Sequence, residues 1–83
     1  MSVLDEVRGL VTDVLQLGDR GSDMTADTLL LGAIPELDSM AVVGIITSIE
    51  EAYGFTVNDD EIAAETFESL GSLVSFVESK LDS

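Results

Sequence analysis

The strongest constraint on the fold is a run of apolar residues that begins after Asp38-Ser39 and ends at Tyr53. Apolar residues recur there at intervals of three and four, which is the period of a helix with one buried face. A turn-rich segment with the single proline, Pro35, comes just before, so a helix is predicted to begin at Ser39 and to span about residues 39–53. Its buried face is predicted to carry Val42, Ile45, Ile46, Ile49 and Tyr53.

A first helix and a long connection are predicted before this run. The helix is predicted over about residues 3–17, with Ser2 as its N-cap and Gly18 as the residue that ends it. Residues 18–37 contain Gly, Ser and Pro that interrupt a helix, so they are predicted to form a loop. Apolar side chains within the loop must hold it against the core, and these are Leu29, Leu30, Leu31, Ile34 and Leu37.

Two helices are predicted after Gly54. Residues 55–57 alternate apolar and polar, so they form either an extended strip or a stub of strand. The acids that follow Asn58 suit the first turn of a short third helix, which is predicted to end at about Glu65. Ser69 is predicted to cap a fourth helix. The core stripe of that helix is predicted to comprise Leu70, Leu73, Val74, Val77 and Leu81.

Composition and charge exclude several functions. The 83 residues carry 17 acidic and 3 basic side chains, and the net charge of −14 repels nucleic acid and anionic membranes but attracts basic protein surfaces. The chain has no Cys and no His, so metal ligation and serine hydrolysis by the chain itself are not expected. No apolar run is long enough to insert into a membrane. We therefore expect a cytoplasmic monomer that is not an enzyme and acts as a substrate for other proteins.

Asp38-Ser39 admits two interpretations. Both residue types are common N-caps, so capping alone can explain the pair. A helix start also offers backbone amides without internal partners and a partial positive charge. A phosphate attached to Ser39 would therefore lie where hydrogen-bond donors already point.

The chain resembles the acyl carrier protein family, in which an Asp-Ser-Leu or Asp-Ser-Met motif opens the second helix of a small acidic four-helix bundle. The resemblance extends over nearly the whole chain, so an all-α acyl-carrier-like bundle is expected over residues 1–83 as a single domain. It implies that Ser39, with Asp38 as part of the motif, carries covalent 4′-phosphopantetheine from coenzyme A. The thiol of that group would hold an acyl or aminoacyl cargo as a thioester. The matching stretches are Leu31-Gly32, Leu37-Asp38-Ser39-Met40 and Ile49-Glu50-Glu51-Ala52-Tyr53-Gly54-Phe55.

The resemblance also implies partners. A phosphopantetheinyl transferase would attach the group, a ligase or transferase would load an acyl or aminoacyl cargo, and a downstream synthase or transferase with a basic docking surface would use it. The family's second helix is its main recognition surface, although isolated exposed apolar residues are also ordinary on any protein. The predicted partner-binding residues are Met40, Val43, Thr47, Glu50, Glu51, Asp59 and Asp60, with additional charge from Glu36, Asp38 and Glu61.

In the resembled family, the space between the second helix and the later helices can open for an acyl chain. Five apolar residues are candidates to line such a pocket here. Ordinary core packing is the alternative explanation for all of them. The candidates are Ile45, Ile49, Ile62, Phe67 and Leu73.

One departure from the family bears on the pathway. Members that serve fatty acid synthesis usually place acids in the first two turns after the serine, whereas this chain is expected to present Ala41 and Gly44 there. Close approach of a partner or of the prosthetic arm would explain Gly44. The departure favours a discrete carrier for polyketide, aminoacyl, D-alanyl or surface-lipid synthesis. The alternatives are an unmodified acidic interaction domain that binds a basic protein and a small lipid-binding regulator.

Overall fold

The computed structural model describes residues 2–35 and 37–82, except for the side chain of Asp59. The first helix, α1, spans Val3–Leu15, and the Ser2 hydroxyl accepts a hydrogen bond from the Asp5 amide, as predicted for its N-cap. The helix ends two residues before the predicted Leu17, and the residue that stops it is Gln16 rather than the predicted Gly18. Gln16 takes the left-handed conformation (φ 55°) that stops the helix, and the Leu17 amide turns back to the Thr12 carbonyl at 3.0 Å.

The long connection contains more structure than its sequence predicted. A short helix, α2, spans Asp19–Ser22. Beyond it, residues 26–31 run beside residues 67–71 and exchange four backbone hydrogen bonds of 2.8–2.9 Å with them. Two of these bonds are donated by Leu70 and Gly71, whose amides begin the last helix and have no partner inside it. The loop is therefore joined to the rest of the molecule through its backbone as well as through Leu30, which is fully buried.

The helix α3 spans Ser39–Tyr53, as the apolar period predicted. Gly54 ends it with a φ of 75°, and the Gly54 amide donates to the Glu50 carbonyl at 2.8 Å. α3 packs antiparallel to α1, because the Tyr53 hydroxyl at its end donates to Glu6 near the start of α1. Gly44 at its middle approaches Val14 near the end of α1.

The predicted third helix is replaced by two separate 3₁₀ turns, Asp59–Glu61 and Ala64–Phe67. Residues 55–57 form no strand, and the Val57 amide instead donates to the Glu50 side chain at 2.7 Å. The first turn is tied to the last helix by an ion pair of 2.7 Å between Glu61 and Lys80. Side-chain contacts rather than a continuous helix therefore position this segment.

The last helix, α4, spans Leu70–Leu81 and begins with the predicted cap, because Ser69 and Ser72 each accept the other's backbone amide. α1 packs against both α3 and α4. Leu81 is 44% exposed and does not belong to the core stripe, because it lies in the last turn. Each buried aliphatic side chain stabilises the fold by about 1.5–3 kcal/mol. The fully enclosed side chains are Val7, Val11, Leu30, Ile45, Ile49, Leu70, Leu73 and Val77.

Among the described residues, none of the helices has both the length and the apolarity needed to cross a bilayer.

Candidate functional site

Asp38, not Ser39, is the N-cap of α3. The Ala41 amide donates to Asp38 Oδ1 at 2.8 Å, and the Val42 amide donates to the Asp38 carbonyl at 3.0 Å. Asp38 has an extended backbone and Ser39 is the first residue inside the helix. The sequence left open whether the pair caps the helix or offers a reactive hydroxyl, and the structure divides these roles between the two residues.

Ser39 is exposed, and its hydroxyl forms no hydrogen bond with the residues that the structure describes. The amides of Ser39 and Met40 likewise have no backbone acceptor in that part of the chain. Such amides at the start of a 15-residue helix carry partial positive charge. The start of α3 therefore offers an accessible hydroxyl beside donors suited to a phosphate.

The exposed face of α3 next to Ser39 is apolar. Met40 is 77% exposed and Val43 is 59% exposed, and Thr47 and Glu51 continue the exposed stripe along the helix. No residue in the first turn of α3 is acidic. The predicted phase of the helix is confirmed for these positions, and the role of this face in docking stays a prediction.

The expected outward positions of Ala41 and Gly44 are wrong. Ala41 is half-buried against the core. A Cβ added at Gly44 would lie only 3.2 Å from Val14 Cγ1, so Gly44 is the point at which α1 and α3 come close. The neighbouring helix explains this glycine, and no partner or prosthetic arm is required for it.

The acids predicted to surround the docking face differ in their surroundings. Glu50 is half-buried and holds the Val57 amide, so its carboxylate already has a contact within the chain. Asp60 is exposed. A hydrogen bond from Lys80 holds the pKa of Glu61 below its usual value, and the Asn58 amide and side chain add to this effect. Glu36 and the Asp59 side chain lie outside the described residues. Within the described residues, no group of acids is arranged to hold a metal ion.

The five candidate pocket residues lie in the interior. Ile45, Ile49 and Leu73 have no exposed surface, Phe67 is 2% exposed, and Ile62 is half-buried. The surface cavities beside α1 and beside the loop are lined by other residues. They are packed together in this state, and a pocket for an acyl chain at this place stays a prediction.

Several contacts between distant segments were missed from the sequence. The Tyr53 hydroxyl donates to Glu6 at 2.7 Å, and burial together with this hydrogen bond raises the pKa of Tyr53 to about 12. The Tyr53 and Phe55 rings stack with centroids 6.1 Å apart.

Leu29 and Leu31 are 57% and 44% exposed, although both were expected to hold the loop to the core. Their peptide groups carry out that role, because the Leu31 amide donates to Phe67 and Leu29 lies opposite Ser69.

Comparison with known proteins defines the class to which this site belongs. A family model described as a phosphopantetheine attachment site matches residues 5–77, which is most of the chain. The solution NMR structure of a holo acyl carrier protein from Nitrosomonas europaea is 58% identical to the chain. It covers 100% of both chains with a TM-score of 0.92. A search of curated proteins found no significant match.

The chain belongs to the acyl carrier protein family. It is a carrier and not an enzyme, and its prosthetic group is covalently attached 4′-phosphopantetheine. As a member of this family it interacts with a phosphopantetheinyl transferase and with biosynthetic enzymes. The predicted all-α fold is confirmed, with the corrections to α1, the loop and the third helix given above.

Proposed function

We propose that Ser39 is the residue that carries 4′-phosphopantetheine. The observation that carries the proposal is the division of roles at the start of α3, where Asp38 forms the cap and Ser39 remains exposed. A serine that capped the helix would have its oxygen engaged by an amide, as Ser2 and Ser69 do. Ser39 differs from both because its hydroxyl has no such contact in the described part of the chain.

The residues around Ser39 fit a phosphodiester. The amides of Ser39 and Met40, which have no backbone acceptor among the described residues, and the N-terminal end of α3 favour negative charge by about 0.3–1 kcal/mol at a surface. Asp38 fixes the first turn because its carboxylate accepts the Ala41 amide. When attached, the group supplies a terminal thiol that holds the cargo as a thioester. Since the chain has no His, activation of the Ser39 hydroxyl falls to the transferase.

We further propose that this chain is a specialised discrete carrier of an acyl or aminoacyl group. Support comes from the first two turns of α3, which contain no acid: Ala41 and Gly44 occupy positions where family members that serve fatty acid synthesis usually place acids. The loading enzyme and the downstream synthase or transferase would contact the exposed apolar face of α3, with Glu51 and Asp60 at its charged edges. A single domain over residues 1–83 and a cytoplasmic location are further parts of this proposal.

The attachment site can be tested by intact-mass spectrometry. The protein is incubated with coenzyme A and a broad-specificity phosphopantetheinyl transferase, and the added groups are counted. One group is expected on the native chain and none on Ser39→Ala. Ser2→Ala is the matched control, because Ser2 is also an exposed serine at a helix start and should not affect the reaction. Modification of Ser39→Ala would contradict the proposal.

A further inference from the structure

A groove between α1 and the end of α3 has no role in the function proposed above. It has a volume of about 360 Å³ and lies on the surface. Its floor is formed by Gly9, Leu10, Ala52 and the Tyr53 ring, so it is mostly apolar. Its edges carry carboxylates from α1. The acidic residues that line it are Asp5, Glu6 and Asp13.

Gly9 is the residue that packing within the chain does not explain. It lies in the middle of α1, where glycine is less stable than alanine by about 0.5–1 kcal/mol. Its backbone does not adopt a positive φ, and a Cβ added there would meet no atom within 4 Å. Gly44 and Gly71, by contrast, would each bring a Cβ against a neighbouring segment. The absent side chain at Gly9 leaves open space on the outer face of α1.

The charges along this face are spaced by helical turns. Asp5, Gly9 and Asp13 follow one another at intervals of four residues, so the two carboxylates lie about 12 Å apart along the axis. The charge of Asp5 is partly neutralised by an ion pair with Arg8. The second terminal nitrogen of Arg8 donates a hydrogen bond to the Met24 carbonyl. No hydrogen bond or ion pair involves the Asp13 side chain within the described residues. The negative charge at the Asp13 end is therefore open to a partner.

We propose that this groove is a second docking surface and that it binds a cationic amphipathic helix of a partner protein. Two Lys or Arg side chains about eight residues apart would meet the two acidic ends. A small apolar residue between them would rest over Gly9, where the missing side chain permits helices to approach closely. The apolar floor and acidic edges are complementary to such a helix and not to an acidic or purely polar one.

The position of the groove separates it from the proposed attachment site. Tyr53 ends α3 and Ser39 begins it, so the two lie about 21 Å apart along the helix axis. A protein held at α1 would leave the Met40 face and Ser39 open to other enzymes. The groove would thus hold the carrier beside a partner while its cargo is exchanged elsewhere, whether or not Ser39 is the attachment site.

The probe is a synthetic helical peptide with two arginines about eight residues apart and an alanine midway on the same face. It is titrated into the holo protein at about 0.15 M salt, where non-specific attraction is screened, and backbone amide NMR shifts locate it. The largest shifts are expected at Gly9, Leu10, Asp13, Ala52 and Tyr53. A peptide of equal composition with its arginines on opposite faces should bind more weakly.

Two matched variants test the charge. Asp13→Asn should weaken peptide binding roughly fivefold, which is the upper range for one exposed ion pair. Glu68→Gln makes the same change at an exposed carboxylate outside the groove and should leave the affinity unchanged. Largest shifts at Met40–Thr47, shifts spread over the whole surface, or equal effects of the two variants would each overturn the proposal.

Discussion

Asp38 and Ser39 show how one position along a helix start can decide which residue is structural and which is available for chemistry. A one-residue shift of α3 would place the Ser39 oxygen on an amide and leave Asp38 outside the helix. The side-chain contact from the Ala41 amide to Asp38 prevents that shift. An N-cap of this kind stabilises a helix by about 0.5–2 kcal/mol.

At Met40 the expected effect of mutation is on recognition and not on folding. Met40→Glu should leave the far-UV circular dichroism unchanged, because the side chain is 77% exposed. It should slow modification by the transferase about fivefold or more, as expected when a central apolar contact is lost. Leu29→Glu is the control, since it places the same charge on an exposed leucine away from α3. Equal rates for the two variants would show that the docking face lies elsewhere.

The Glu61–Lys80 pair should make stability depend on pH in a defined direction. The pKa of Glu61 is lowered in the folded protein from its usual 4.5, mainly by the hydrogen bond from Lys80. The contribution of ionised Glu61 to the free energy of unfolding is therefore present above about pH 4.5. It is lost as the pH falls through the pKa of Glu61 in the folded protein. Glu61→Gln should lower the melting temperature at pH 7, and the difference from the native protein should vanish in acid. Glu65→Gln, at an exposed acid of the neighbouring turn, should cause little change at either pH.

Substitution by alanine at two glycines within helices should change the stability of the protein in opposite directions. Gly9→Ala should stabilise the protein by about 0.5–1 kcal/mol, because the helix gains propensity and the new methyl group meets nothing. Gly71→Ala should destabilise it, because the new Cβ would lie 2.7 Å from the Ala26 carbonyl oxygen, a backbone atom that cannot turn aside. Thermal unfolding of both variants measures the contrast. A Gly9→Ala variant less stable than the native chain would contradict this description of the outer face of α1.

The same elements show what the sequence could predict. The bounds of α3 and its exposed stripe follow from a period sustained from Ser39 to Tyr53, and Ser69 and Ser72 identify the start of α4. The end of α1 could not be predicted, because Gln16 adopts a conformation that local sequence assigns more readily to Gly18. The orientation of Gly44 depends on where α1 packs, which no local pattern contains.

The sequence predicts least where segments far apart in the chain form one feature. The hydroxyl of Ser39 could be assigned as a candidate from its neighbours alone. The groove beside Gly9 could not, because half of its floor comes from Ala52 and Tyr53 on another helix. The third helix was overestimated because the Glu61–Lys80 pair and the buried Phe67 hold two short turns in place without a continuous helix.

For the whole molecule, we expect stability to rise with salt. The net charge is −14 and the radius of gyration is 11.5 Å, so at low ionic strength charges on opposite sides still repel one another. Raising sodium chloride from about 0.01 M to 0.5 M should stabilise the fold by about 1 kcal/mol, or about 4–8 °C in melting temperature. Chloride is preferred to sulfate, which stabilises proteins by exclusion from their surface.

The salt response has its own control. The double variant Asp27→Lys, Glu68→Lys reverses the charge of two exposed acids. Since each reversal changes the charge by two, the net charge changes from −14 to −10. This variant should melt at a higher temperature in low salt and respond less to added chloride. A native protein whose melting temperature does not change with chloride would show that other terms outweigh the repulsion.

The backbone pairing of residues 26–31 with residues 67–71 has a consequence for hydrogen exchange and for the order of folding. Leu30 and Leu31 lie in an irregular segment, yet their amides should exchange with solvent as slowly as those of the helices. About 40 residues of chain separate the two strips, so their pairing costs loop-closure entropy. The formation of a single helix does not carry this cost. Like the packing of α1 against α4, the pairing should therefore form after the individual helices and limit the rate of folding.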